Sequence, residues 1–570
     1  MNIKNIKYYI WGLGLSSSMA IMTSCSDFLD VLPLNDVVQE NYWTKKSDVT
    51  SVLMGCYESL QKEDCVTRMG LWGEVRSDNM KMGVASSQDL EQLVKENVLP
   101  SNSFCNWAIF YEAINRCNIV IKYAPQVQEA DPNYAFSEMK ANIAEATFIR
   151  SLCYFYLIRS FRDVPFTREA SIDDTKEYRI PADSFDVVLN NIIEDMEAVK
   201  DDAQLYFRKP NPDNPDADEI WNTARVTRPA MYALLADLYL WKGNWQKCEE
   251  CCDYVIKFKQ DEFNKLLRRR LQNDVYLFNN IPLLLEKRQN ATIAGSAYNA
   301  IFGTGNSFES LFEITYEESR NSGNTNTYIA NYYYNGSNNS RSNGRLSAVD
   351  EFYEGLPTKN TELFNKADFR AYESIYQVGT TQFFIAKYAT DEARLDNSKS
   401  DWKPTYSWRS KNYSHWIIYR LTDVMLMKAA ALVEQGSDRF EDAFSLINAV
   451  SRRAVNALTP GTGEVLKYDD YKDSKENMEQ LVMDERHREL MFEGKRWFDL
   501  VRMARLTGNT KDLAKTVTKK QLTNISGIQI RLADANALYL PYYRNELKVN
   551  PFLHQNPAYH TGDDSDLSKN

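Results

Sequence analysis

The chain has 570 residues, of which 44% are hydrophobic and 25% are charged. These fractions are ordinary for a globular protein with a sizeable core, and the length allows about three or four domains or one large fold. The formal net charge is −11 at pH 7. Because the chain is acidic and has no basic run, its composition argues against nucleic acid as a partner.

The first 24 residues have the pattern of a lipoprotein signal peptide. Lys4 and Lys7 form a short basic start, and a mostly apolar stretch runs from Tyr8 to about Met22. This apolar core of about 15 residues is too short for a transmembrane helix, which needs about 20. We therefore expect cleavage before Cys25. The alternative is a secreted protein in which this cysteine is incidental.

Cys25 is predicted to be the lipidated first residue of the mature chain. The run Met22-Thr23-Ser24-Cys25 resembles a lipoprotein cleavage box, with Met where Leu is commoner. The following Ser26-Asp27-Phe28-Leu29-Asp30 resembles the surface-export signal of Bacteroidetes lipoproteins. We therefore expect a lipid anchor in the outer membrane that faces the exterior, with residues 25–45 as the lipidated tether and N-terminal segment.

Helical periodicity recurs through the rest of the chain. It predicts helices over Asp48–Leu60, Trp107–Tyr123, Glu138–Arg162, Phe185–Val199, Thr227–Trp241, Trp245–Phe258, His415–Glu434 and Phe440–Ala454. These helices form pairs near 138–200, 227–258 and 415–454. A glycine-containing turn with small residues on the facing helices is typical of tetratricopeptide-type units.

The predicted helix pairs are not tandem. Long insertions near 260–414 and 455–480 separate them, and stretches of the first are rich in Asn, Ser, Gly and Tyr. We therefore expect a mainly α fold, in which residues 46–570 form a single domain of tetratricopeptide-like helix pairs with long loop-rich insertions.

Three of the nine cysteines, Cys248, Cys251 and Cys252, cluster within one predicted helix. A metal site is one interpretation, but the four histidines are remote in sequence. We expect the cysteines to act as small hydrophobic residues in the core. No metal or cofactor is predicted.

Six motifs together resemble the SusD/RagB family of outer-membrane nutrient-binding lipoproteins. They occur in the family's order and cover nearly the whole mature chain: Trp72–Asn79, Glu145–Pro165, Ala233–Trp245, Tyr419–Val424, Asp484–Leu500 and Leu540–Pro557. The fifth is the most specific. One departure is Arg162, which stands where the family usually has a glycine.

This resemblance implies a SusD-like fold and a partner. The partner would be a SusC-like TonB-dependent transporter, over which the lipoprotein sits as a hinged lid. The transported class in the family is usually glycan fragments and sometimes peptides. No motif in the chain demands a nucleophile or an acid–base pair, so we expect a non-enzymatic glycan-binding lipoprotein with no catalytic residues.

The candidate ligand contacts are aromatic, amide and carboxylate side chains. Aromatic rings offer flat faces to the C–H faces of sugars, and amides and carboxylates hydrogen-bond to hydroxyls. Tyr mixed with Ser, Gly and Asn is also a composition that antibodies use for recognition. The predicted contacts are Asp78, Asn79, Tyr332, Tyr333, Tyr334, Trp402, Tyr406 and Trp408.

The charged stretch from Asp484 to Asp499 is instead interpreted as structural. Asp484 and Arg488 are four residues apart, and Glu493 and Arg496 are three apart, so we expect intrahelical ion pairs within a buried polar network. We expect the same role for Glu145 and Arg150. A surface-anchored glycosidase, which needs two facing carboxylates, remains an alternative, as do a peptide-binding member of the family and a pure scaffold.

Overall fold

The computed structural model describes residues 42–83, 86–172, 179–210, 219–286, 293–317, 325–333, 344–354, 356, 361–378, 382–396, 404–409, 413–455, 466–520 and 523–559. Within these ranges helices dominate and strands are short, which confirms the mainly α prediction. Cys25, Tyr334 and Trp402 lie outside the described residues, so the lipidation site and two predicted contacts stay predictions.

The α-helices are, in chain order, α1 (Lys46–Gln61), α2 (Glu63–Glu74), α3 (Gln88–Val94), α4 (Ala108–Ala130), α5 (Phe136–Phe161), α6 (Phe185–Val199), α7 (Glu219–Thr223), α8 (Arg228–Lys242), α9 (Trp245–Glu262), α10 (Arg268–Leu271), α11 (Ser296–Tyr298), α12 (Thr327–Tyr332), α13 (Phe369–Ser374), α14 (Leu421–Gln435), α15 (Phe440–Val455), α16 (Lys475–Leu490), α17 (Arg496–Thr507), α18 (Thr510–Thr518), α19 (Ile525–Leu532) and α20 (Arg544–Val549).

The predicted helix pairs are present and pack against one another. Helix α5 packs on α6, α8 on α9, and α14 on α15, while α9 also contacts α14. The turn between α8 and α9 shows why the chain reverses there. Gly243 ends α8 in the left-handed conformation (φ 75°), which glycine adopts without a steric penalty, and the Asn244 side chain then caps α9 by accepting from the Lys247 N–H at 3.2 Å.

Two departures from the predicted helices have local causes. The segment His415–Glu434 is not wholly helical, because Trp416–Arg420 forms a strand that pairs with Ser310–Ile314 before α14 begins at Leu421. Arg162, at the family's usual glycine position, adopts φ 68° and ends α5. This positive φ is one that glycine adopts without a steric penalty.

The strands are β1 (Met80–Met82), β2 (Val275–Phe278), β3 (Ile281–Leu284), β4 (Ile293–Ala294), β5 (Ser310–Ile314), β6 (Leu346–Ala348), β7 (Ile375–Val378), β8 (Gln382–Ile385), β9 (Thr390–Asp396), β10 (Thr405–Trp408) and β11 (Trp416–Arg420).

The strands form four small antiparallel sheets. Their strand orders are β1-β6-β8-β7, β10-β9-β4, β11-β5 and β2-β3. Most of these strands lie in the insertion near 260–414. That insertion is therefore partly β structure, although its sequence predicted loops.

The core runs through the helix pairs and into the insertion. Cys248, Cys251 and Cys252 are buried there as free thiols, as expected for small hydrophobic residues. Burial raises the pKa of the Cys251 thiol to about 12, so this side chain stays neutral near pH 7.

Candidate functional site

The Asp484–Leu500 motif lies at the centre of a buried charge network. Glu489 accepts hydrogen bonds from Arg370, Arg420 and Arg453, the first two at 2.9 and 2.6 Å. Burial would raise the pKa of Glu489, but the three guanidinium charges outweigh burial and hold that pKa well below its ordinary value. The carboxylate is therefore ionised and paired with three arginines, as in a structural ion-pair network.

The predicted buried polar network is confirmed, but the expected pairs within it are not. Arg488 pairs with Glu485 at 2.9 Å, Glu493 pairs with Arg420 and Lys387 at 2.7 Å each, and Arg496 pairs with Asp78. The last three partners come from distant elements, because the helix ends at Leu490 and a turn separates Glu493 from Arg496.

Glu145 and Arg150 have the structural role that was expected of them, each with a partner outside its own helix. Glu145 pairs with Arg225 at 2.7 Å, and Arg150 pairs with Asp195 at 2.8 Å. Both side chains point away from their own helix and tie α5 to neighbouring segments.

Asp78 and Asn79 belong to the same interior and not to a surface. Asp78 is 5% exposed and accepts from the Arg496 Nε and Nη2 atoms at 2.9 and 3.0 Å. Asn79 is fully buried, donates to Glu74 and contacts His487 Nε2 through its amide oxygen. Since their polar atoms face protein partners, we leave both residues out of the proposed ligand site.

Tyr332 and Tyr333 are core residues as well. They are 6% and 0% exposed, and the Tyr333 hydroxyl donates to the Phe492 carbonyl at 2.7 Å. Their rings pack against Tyr328, whose own ring contacts Trp416. The two tyrosines were predicted to contact sugar, but they are buried, because the short helix α12 turns them inward.

Tyr406 and Trp408 lie differently, since both are partly exposed on strand β10. Their ring centroids are 5.2 Å apart with an interplanar angle of 31°. Tyr376, on strand β7, contacts both: its ring centroid is 5.3 Å from that of Tyr406 and 5.0 Å from that of Trp408. We call Tyr376, Tyr406 and Trp408 the aromatic cluster.

A hydrogen bond and strand pairing hold the aromatic cluster in place. The Tyr406 hydroxyl donates to the Tyr372 carbonyl, and β10 pairs with β9, with Tyr406 opposite Ala393. Burial of the hydroxyl raises the pKa of Tyr406 well above its ordinary value, so it stays a neutral donor. The cluster is thus a supported aromatic surface, flanked by exposed Thr405, Ser407 and Gln377.

Tyr376 was missed by reasoning from sequence. Its segment, residues 371–378, has one Ser, no Gly and no Asn, so the composition that marked other candidate regions does not mark this one. Only the packing of β7 against β10 brings it to Tyr406 and Trp408. A strand-alternation signal at 375–378 could have suggested that Tyr376 and Ile375 face opposite sides.

The helix-pair scaffold with a strand-containing insertion defines a SusD-like protein. A model of the SusD family matches residues 308–559, and a second, described as starch-binding and associating with the outer membrane, matches residues 27–240. The chain belongs to the SusD/RagB family. Every helix in the described part of the chain is too short or too polar to span a bilayer.

Individual relatives extend over most of the chain. SusD-like protein P38 of Formosa agariphila is 23% identical over 87% of this chain and 92% of its own length. A solved SusD superfamily protein from Bacteroides thetaiotaomicron superimposes with a TM-score of 0.64 at 18% identity, covering 90% of this chain and all of its own. Surface glycan-binding protein A from Bacteroides uniformis superimposes with a TM-score of 0.60 at 21% identity, covering 90% of this chain and the whole of its own length.

Proposed function

We propose that this protein is a non-enzymatic, cell-surface glycan-binding lipoprotein that captures oligosaccharide or polysaccharide through the aromatic cluster. One observation carries the proposal. The insertion of this SusD-like fold brings together three partly exposed rings, Tyr376, Tyr406 and Trp408, whose centroids lie within 5.3 Å of one another. Stacking of a sugar on such rings contributes of order 1 kcal/mol per ring. Three rings then supply about 3 kcal/mol, which corresponds to weak binding in the millimolar range.

The finer parts of the proposal concern anchoring and transport. Cys25 carries the lipid that holds the protein at the outer membrane, facing the exterior. A SusC-like TonB-dependent transporter receives the captured glycan as the lipoprotein closes over it. The support is the family's second model, described as associating with the outer membrane, and the cleavage box around Cys25. The anchor keeps the protein near the transporter and so raises the effective concentration of captured glycan.

The test is native affinity electrophoresis of the mature chain through gels that contain different polysaccharides. Trp408→Ala should weaken retardation by the binding polysaccharide about fivefold, since it removes about one stacked ring. Trp221→Ala is the matched control, because Trp221 is 42% exposed on a different element, α7. Equal loss in both variants, or no loss in Trp408→Ala, would contradict the assignment of the aromatic cluster.

The same gels are assayed for new reducing ends. Retardation without their release supports a binding protein and names its substrate class. Release of reducing ends would overturn the non-enzymatic proposal in favour of a glycosidase. Binding of a peptide but of no polysaccharide would overturn the glycan assignment and identify a peptide-binding member of the family.

A further inference from the structure

A cavity inside the insertion brings two buried carboxyl groups together. Glu286, which follows β3, and Glu373, in α13, both line it, and each residue is only 6% exposed. The Glu286 Oε2 atom accepts from the Gly295 N–H at 2.5 Å, and a Cβ atom placed on Gly295 would lie 3.8 Å from Glu373 Oε1. The two carboxyl groups therefore meet at Gly295.

The Glu373 carboxyl group lacks a donor. Its Oε1 atom is buried and has no hydrogen-bond partner among the described residues. A buried carboxyl group without a donor, beside a second carboxylate, is unfavourable in its ionised form. Burial, and next the charge of Glu286, raise the pKa of Glu373 well above its ordinary value.

Charged groups face Glu373 from several elements around the cavity. They belong to the segment after β3, the start of α13, the turn after β8, helix α15 and helix α16, and are Glu286, Asp368, Arg370, Lys387, Arg453 and Glu489. Two tyrosine hydroxyls, of Tyr298 and Tyr406, are also near. Burial raises the pKa of each hydroxyl, so both are neutral near pH 7.

The three cations of this set are bound to other groups. Lys387 uses its three N–H donors on one carboxylate and two backbone carbonyls, at 2.7, 3.0 and 3.1 Å. Arg370 donates to three carboxylates and Arg453 to two, and together with Lys387 they bind Glu309, Asp368, Glu485, Glu489 and Glu493. None of their hydrogen bonds within the described residues goes to Glu373, so its ionised form lacks a direct counter-ion.

Glu373 is adjacent to the support of the aromatic cluster. The Tyr372 carbonyl accepts from the Tyr406 hydroxyl, and β7, which carries Tyr376, begins at Ile375 directly after α13. A displacement of the last turn of α13 would therefore shift two of the three rings of the cluster.

We propose that Glu286 and Glu373 hold one proton between them near neutral pH, and that loss of this proton to solvent base at alkaline pH displaces α13 and weakens glycan binding by the aromatic cluster. Without the proton, two adjacent buried carboxylates repel each other. The inference rests on the proposed carbohydrate function and adds regulation by pH to the same site.

Affinity electrophoresis of the mature chain at pH 7 and pH 9, with a polysaccharide that retards it, tests the regulation. We expect binding to be at least fivefold weaker at pH 9. Glu373→Gln is neutral at both pH values, so its binding should change less than twofold. Both pH values lie below the ordinary pKa of tyrosine, about 10.

Glu546→Gln is the matched control for this comparison. Glu546, on α20, is another partly buried carboxyl group, and burial raises its pKa, but it lies outside the cavity. Its variant should lose affinity at pH 9 as the natural chain does.

Urea unfolding tests the proton without a ligand. Above the ordinary pKa of glutamate, about 4.3, the unfolded chain loses a proton that folded Glu373 keeps, so stability falls as pH rises until the folded pKa is passed. From pH 5 to 7, the unfolding equilibrium constant of the natural chain relative to that of Glu373→Gln should rise by up to tenfold per pH unit. Glu373→Met, which needs no hydrogen-bond partner, replaces the Gln variant if that variant does not fold.

Three results would overturn the inference: equal affinity of the natural chain at pH 7 and pH 9, the same loss in Glu373→Gln, or a ratio of unfolding constants that does not change with pH. Retardation at pH 7 leaves the proposed function intact in each case. If no polysaccharide retards the chain at pH 7, the proposed function fails, and the unfolding ratio still decides whether Glu373 keeps the proton.

Discussion

At the residue scale, buried charges in this protein depend on partners from distant parts of the chain. Arg420 donates to Glu489 and Glu493, and Lys387 reaches Glu493 from the insertion. Removing one member of such a network leaves an uncompensated buried charge, which is strongly destabilising. The network therefore couples the insertion to the helix that carries the family's most specific motif.

His487 gives this interior a pH dependence. Burial, and next the charge of Arg496, lower the pKa of His487 from 6.5 to about 3. Between those two values the unfolded chain binds a proton that the folded chain does not, so stability falls as pH drops from about 6.5 towards 3. The contribution of His487 to this fall is about 1.4 kcal/mol per pH unit.

His487→Gln should flatten this acid response. The glutamine amide can still donate to Asn79, and it does not titrate. The free energy of unfolding, measured with urea at several pH values from 4 to 7, should fall less steeply in the variant than in the natural chain. Parallel slopes would show that His487 is not the group responsible.

At the element scale, two glycines allow helix α2, the turn before α17 and strand β11 to lie close together. Gly73, in α2, has no room for a side chain, because a Cβ atom there would lie 1.7 Å from the Gly494 carbonyl oxygen. Gly494 itself has φ 71°, and its Cβ would lie 2.9 Å from the Trp416 ring. The turn before α17 therefore touches both α2 and strand β11.

Gly494→Ala should destabilise the fold more than Gly508→Ala does. Both glycines have positive φ, so both variants carry the backbone penalty of about 1 kcal/mol. Gly508 has nothing within 4 Å of the added methyl group, whereas Gly494 meets Trp416, which adds roughly 1–3 kcal/mol of overpacking. Thermal or urea unfolding of the two variants measures the difference, and equal losses would contradict the packing argument.

At the scale of the whole molecule, a helix-pair scaffold supports an insertion that carries the aromatic cluster. Helices α5, α6, α8, α9, α14 and α15 supply the pairs. The insertion joins them through the β5–β11 sheet and through Lys387 and Arg370, which reach the network around Glu489. The aromatic cluster therefore lies on an insertion that is tied to the core by these contacts.

Cys25→Ser tests the proposed anchor of the whole molecule. The variant lacks the thiol that receives the lipid, so it should leave the membrane fraction of the expressing bacterium and lose palmitate labelling. The aromatic cluster is remote from the anchor in sequence, so polysaccharide retardation of the purified chain should be unchanged. Retention of label and membrane association in Cys25→Ser would contradict lipidation at this residue.

The sequence by itself predicted eight of the twenty helices in the described residues, and these eight include every helix of the paired scaffold. The apolar spacing of α5, α6, α8 and α9, and the turn residues Gly243 and Asn244, are local signals that act within a few residues. The helix Phe185–Val199 is confirmed residue for residue. The six motifs were also sufficient to predict the family, because they occur in the family's order and cover nearly the whole mature chain.

Only the tertiary structure decided which polar and aromatic side chains face outward. Asp78 pairs with Arg496 across 418 residues of chain, and Tyr333 reaches Phe492 across 159. No local pattern encodes such contacts. Tyr376 likewise joins Tyr406 and Trp408 only because β7 packs against β10. Helix formation depends on neighbours in sequence, so the helices could be predicted. Side-chain burial and the choice of ion-pair partners depend on long-range packing, so they could not.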